Sequence, residues 1–187
     1  EGKESLLERL KIAQIPKVEG IFSVDDVEED LYDGFHNGQD MGTTTYIPQV
    51  DAAWTWRNGE VNVWTGYQNE GKSLFLNQLC VIKAAKENFK FAVFSPENMP
   101  MTDFYNDLIE MYIGKSTNPK YTHQMSIEEF NQALTFVRKH FYLIYPNKHF
   151  LLDTIFDKAK YLVRSRGINS LIIDPYNTVH HKIMNGE

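Results

Sequence analysis

The chain has 187 residues, 42% of them apolar, and a formal net charge of −6. That describes a chain able to bury a core, about one domain in length with room for an appendage. No apolar run approaches the roughly 20 residues that span a bilayer, and the negative balance argues against binding nucleic acid by bulk charge, though not against a local basic track.

The opening stretch, Glu1 to Leu10, is charged throughout and does not read as a secretory leader. Residues 4–14 are a short amphipathic helix candidate limited by Pro16. Ser23 reads as an N-cap with Asp26 three positions on, and Val24, Val27, Leu31 and Phe35 follow at three-four spacing along one apolar face. The acidic residues between them suit either a solvated helix face or a linker docking on a neighbouring subunit. Residues 37–48, with Gly38, Gly42, three threonines and Pro48, read as a loop. The division expected is linker helices over 1–40 and a main domain over 41–187.

Asn58-Gly59 is a turn signal, and Val61-Asn62-Val63-Trp64-Thr65 after it reads as a strand. Leu74 to Lys86, without Gly or Pro, reads as a buried helix. The single cysteine, Cys80, falls on that helix as a small buried hydrophobe. A chain that forms no internal disulfide fits a reducing setting such as the cytoplasm of a bacterium or a phage-infected cell. Phe91 to Ser95 is a second strand, and a helix is expected over 102–113 with Thr102 as N-cap and Gly114 as its stop. Ser126-Ile127-Glu128-Glu129 is a capping box opening a helix that ends near His140. Phe141 to Tyr145 is a third strand. A helix over 150–166 should turn Leu152, Ile155, Phe156, Ala159, Leu162 and Val163 inward, and Ser170 to Ile173 is a fourth strand ending at Asp174-Pro175. Strands alternating with helices predict an α/β fold with a mainly parallel sheet covered on both faces.

Between the strand at 61–65 and the helix after it stands Gly66-Tyr67-Gln68-Asn69-Glu70-Gly71-Lys72-Ser73-Leu74. It fits G-x-x-x-x-G-K-[ST], a loop whose backbone N–H groups cradle nucleotide phosphates at a helix N-terminus. Lys72 would reach the β- and γ-phosphates and Ser73 would ligate Mg²⁺. Glu70 should face solvent, since a carboxylate turned to phosphate is repelled. Ligands of parallel sheets sit at the strands' carboxyl ends, which nominates two more residues. Asp174 can hold Mg²⁺ or merely serve the turn before Pro175, and the metal role is favoured by the phosphate loop. Glu97 can polarise an attacking water or be an ordinary loop carboxylate. His180-His181 lacks a supporting ligand cluster, and Lys158, Lys160, Arg164 and Arg166 read as solvated helix surface.

Taken in order, Thr65 to Ser73, Phe94-Ser95-Pro96-Glu97-Asn98 and Leu171-Ile172-Ile173-Asp174-Pro175-Tyr176-Asn177 resemble the RecA-like P-loop motor of DnaB-type hexameric replicative helicases, in the TOPRIM primase–helicase branch. Gly42-Thr43-Thr44-Thr45 to Asp51 resembles the lead-in of that branch. The resemblance implies a DNA helicase in DNA replication that uses ATP and Mg²⁺, a homo-hexameric ring on single-stranded DNA, and a primase domain or partner. It makes Glu97 the water-activating residue and Asp174 the Walker B aspartate, and it makes residues 20–40 a helix packing on the next subunit. Such sheets carry a further strand between those of the phosphate loop and of Walker B. That strand, the arginine finger and most DNA-contacting loops would lie beyond Glu187, so the chain reads as part of something longer and, by itself, as inactive or weakly active. The alternatives are a RecA/KaiC-type ATP-binding assembly or regulatory module that does not unwind, and a scaffold with a vestigial phosphate site.

Overall fold

The structure, a computed structural model, describes residues 19–38, 41–67, 69–146 and 150–180. The helix expected over 4–14, Gln68 and His181 lie outside them. The chain divides into two compact units, Glu1–Met41 and Gly42–Glu187.

In the first unit the Ser23 amide donates to the Asp26 carboxylate at 2.9 Å, as the capping reading predicts. What this opens is a 3-10 turn, Val24–Asp26, and the α-helix α1 follows only at Glu28–Asn37. Its apolar face, with Leu31 and Phe35, is exposed.

The second unit holds three parallel strands in the order β2-β1-β3, with β1 at Phe91–Phe94, β2 at Phe141–Ile144 and β3 at Ser170–Ile173. Phe91 pairs with Phe141 on one side and Ser170 on the other, and Phe94 with Ile144 and Ile173. Every residue of β1 is buried because it has a strand on each edge and helices on each face. Side chains alternate across the sheet. Phe91, Val93, Phe141 and Ile172 face one cluster, which includes Cys80, Val81 and Ala84 of α3 (Lys72–Glu87), Phe104 and Leu108 of α4 (Met101–Ile113), and Ala133 and Val137 of α5 (Ile127–His140). Ala92, Phe94, Ile144, Leu171 and Ile173 face the other, against Ile155 and Ala159 of α6 (Leu152–Arg166). A further short helix, α2, is a single turn at Pro48–Asp51 that begins where the expected loop ends.

Several expectations are corrected. The strand foreseen at 61–65 does not form: no described backbone pairs with it, and Val61 and Val63 are 93% and 82% exposed. β-branched residues favour a strand, but a strand needs a neighbouring edge to satisfy its backbone. On α6, Phe156 and Val163 do not turn inward but line an open apolar groove with Ile168 and Leu171 beside β3. The cap of α4 is Pro100, not Thr102. The Ser126 box forms as expected, the Glu129 amide donating to Oγ at 3.2 Å and the Ser126 amide to Glu129 at 2.8 Å.

Candidate functional site

Only three residues, Asn88 to Lys90, connect α3 to β1, so the helix must run antiparallel to the strand it feeds. Its N-terminus, with the glycine loop, therefore points toward the carboxyl edge of the sheet. Gly71 caps α3 in the left-handed region at φ 78°, and Asn69 shares that conformation at φ 64°. A β-carbon at Gly71 would meet nothing, so the glycine is needed for its backbone angle. Gly66 answers a different need: a β-carbon there would lie 3.2 Å from Lys72 Cδ. The two glycines thus let the loop turn and let the lysine stem cross its entry.

The Lys72 ammonium donates to the Tyr67 carbonyl at 2.6 Å, so it closes over its own loop. The Phe75 amide makes the first helical bond, to Gly71 at 2.9 Å. The amides before it are the unpaired donors of a helix start, which with the positive end of the helix dipole suit an anion. Ser73 is half-buried on that first turn, while Glu70 and Leu74 are exposed.

At the same edge, the pairing of Phe94 with Ile173 sets Asp174 beside Ser95, and the Asp174 amide donates to the Phe94 carbonyl at 2.9 Å. Ser95 is buried, and the turn after it exposes Glu97. Neighbouring strand ends thus carry two carboxylates, on the edge toward which the glycine loop points. Lys72, Ser73, Glu97 and Asp174 come from three separate chain segments. Tyr67 and Asn69 lie within the loop, and Gln68 lies outside the described residues. His180 serves as backbone: its amide donates to Phe150 at 2.8 Å and its carbonyl accepts from Leu152 at 3.1 Å.

Sequence reasoning passed over two neighbouring features. Lys83 is fully buried on α3, its ammonium bonding Glu87 and Thr43 at 2.5 Å and lying 5.0 Å from the Phe89 ring. Asp51 accepts from Thr44 Oγ1, from Thr45 Oγ1 and from the Thr45 amide, and these bonds, the Thr44 hydroxyl first, hold its carboxyl below the usual range. Together these bonds tie residues 43–51 to α3. The signal was available: Lys83 follows Leu79 and Cys80 by four and three residues, on the buried face. The second feature is a row of rings, Trp54, Trp56 and Trp64, which no periodicity marks.

No family profile matches the chain. Over 190 residues it is 30% identical to the Twinkle homolog protein, chloroplastic/mitochondrial, of Arabidopsis thaliana. That alignment takes in 97% of this chain but 26% of the relative. The chain is a distant, partial homologue of that protein. Its described residues form a mixed α/β fold with a small parallel sheet flanked by helices.

Proposed function

We propose that the chain carries the ATP-binding part of a RecA-like motor of the ring-type replicative helicases. The observation that carries this reading is the placement of a glycine loop at a helix start and of two carboxylates just past adjacent parallel strands on the carboxyl edge of one sheet. In this reading the amides of the first α3 turn and the Lys72 ammonium receive the phosphates, Lys72 giving up its bond to the Tyr67 carbonyl. The donor set suits a hard cation: the Ser73 hydroxyl and the Asp174 carboxylate would hold Mg²⁺, which would neutralise phosphate charge. Glu97 would orient a water for attack on the γ-phosphorus, breaking that atom's bond to the departing diphosphate. The motifs that resemble ring-type replicative helicases support placing the activity on single-stranded DNA, in a homo-hexameric ring that α1 would help assemble through its exposed Leu31 and Phe35. Among the described residues the outer edge of β3 and the 61–65 run have no backbone partner, which suits the additional strand of a RecA-like sheet.

The test is ATP turnover of the intact protein with and without single-stranded DNA. DNA-stimulated hydrolysis is expected, and Lys72→Ala should abolish it. Turnover retained in that variant would sink the assignment.

A further inference from the structure

The phosphate loop enters from a stretch with no strand partner among the described residues, yet its backbone must hold the conformation set by Gly66 and Gly71. Rings supply the restraint. Trp64, two residues before Gly66, meets Phe75 of α3 at 5.9 Å between centroids and 55° between planes. Phe75 stands three residues after Lys72, so this one contact joins the entry of the loop to its exit. Trp64 also packs edge-to-face with Trp54 at 5.2 Å and 84°. Trp54 in turn meets Trp56 at 4.7 Å, and its Nε1–H donates to Asn62 Oδ1 at 2.8 Å, holding the same entry segment a second time. Trp56 contacts Phe91 of β1 at 5.9 Å, so the row ends on the central strand.

We propose that Trp64, braced between Trp54 and Phe75, is a positioning residue that clamps the neck of the phosphate loop. This rests on the nucleotide-binding reading above and deepens it. Edge-on and tilted ring pairs attract through their quadrupoles as well as by burying area. Trp64 makes two such contacts where Val61 and Val63 make no comparable anchor. Without the clamp, the loop's binding-ready form becomes a fraction of the population, and apparent affinity falls by that fraction. Saturating nucleotide refills that form, so the loss belongs in KM rather than kcat.

The experiment uses the intact protein, with Trp64→Ala and Trp64→Phe titrated against a fluorescent N-methylanthraniloyl-ATP, alongside hydrogen exchange. Trp64→Ala should weaken binding about tenfold, the size of two lost ring contacts, and speed exchange of the Phe75 amide. The β1 amides should keep their protection, marking an intact sheet. Trp64→Phe should bind within about twofold of wild type, because a ring restores the contact. Phe75→Leu should weaken binding in the same direction from the helix side but by less, about threefold, because it removes one of the two contacts; it covers a Trp64 variant that does not fold. Unchanged affinity and unchanged Phe75 exchange in Trp64→Ala would overturn the clamp, even with Lys72→Ala abolishing binding. Faster exchange in a protein whose wild type binds no nucleotide would support the clamp and remove the nucleotide reading instead.

Discussion

Lys83 and Glu87 should respond very differently to removal, and the difference follows from where each sits. The Lys83 side chain is 0% exposed and that of Glu87 25%. Lys83→Met keeps an unbranched stem beside Trp56 and Phe89 and deletes the buried charge together with its desolvation cost. Glu87 then still reaches water and still accepts from the Tyr46 hydroxyl at 3.0 Å. The loss is the charge-assisted bonds to Thr43 and Glu87, about 1–3 kcal/mol. Glu87→Ala leaves the ammonium buried with only neutral acceptors, Thr43 Oγ1 and the Thr44 carbonyl at 3.4 Å. Stripping a buried charge of its bonded partner costs about 3–5 kcal/mol, and the low end applies here because the Asp51 carboxylate still acts on Lys83 through space. The assay is urea unfolding followed by tryptophan fluorescence, which reports this region directly because Trp56 lies 5.9 Å from the Lys83 ammonium. The double variant should then cost less than the sum of the singles, since the pair is coupled. A Lys83→Met variant less stable than Glu87→Ala would refute the argument from desolvation.

Glu97→Gln should leave nucleotide affinity within about twofold while hydrolysis falls by about 10²–10⁴, the usual worth of a positioned base; equal loss of both would assign Glu97 a structural role. Burial pushes the His140 imidazole below its ordinary value, against the raising effect of its Nδ1 bond to the Phe89 carbonyl at 2.6 Å. The unfolded chain therefore takes up the proton first as pH falls, and stability should decline from about pH 6.5 downward. His140→Gln should flatten that slope in denaturant titrations run at several pH values, and an unchanged slope would place its origin elsewhere. Asp51 and Glu110 have carboxyls held below their usual range, so their contributions vanish only at lower pH, below about 4. Ser126→Ala should cost about 1 kcal/mol by removing the cap of α5, read as a lower urea midpoint. No change there would show the cap bond to be replaced by water.

The strands and long helices of the second unit were legible because their signals are local. β1, β2 and β3 are short apolar runs, and α5 declares its start through the Ser126 box and its face through Phe130, Leu134 and Val137 at three-four spacing, although Ile127, the first residue of that stripe, is exposed and Ala133 is buried in its place. The run at 61–65 carries the same local signal and forms no strand, because pairing depends on an edge elsewhere. Phe156 and Val163 fit the inward stripe of α6, but what covers a stripe is set by neighbours. The sequence by itself determined the glycine loop, with a left-handed position that glycine adopts without strain, and the alternation that buries β1 from both faces. Only the tertiary structure decided that Asp174 stands beside Ser95, that Lys83 is buried against Glu87, and that Trp64 reaches Phe75. Those relations join residues far apart in the chain, and propensity and periodicity describe only near neighbours.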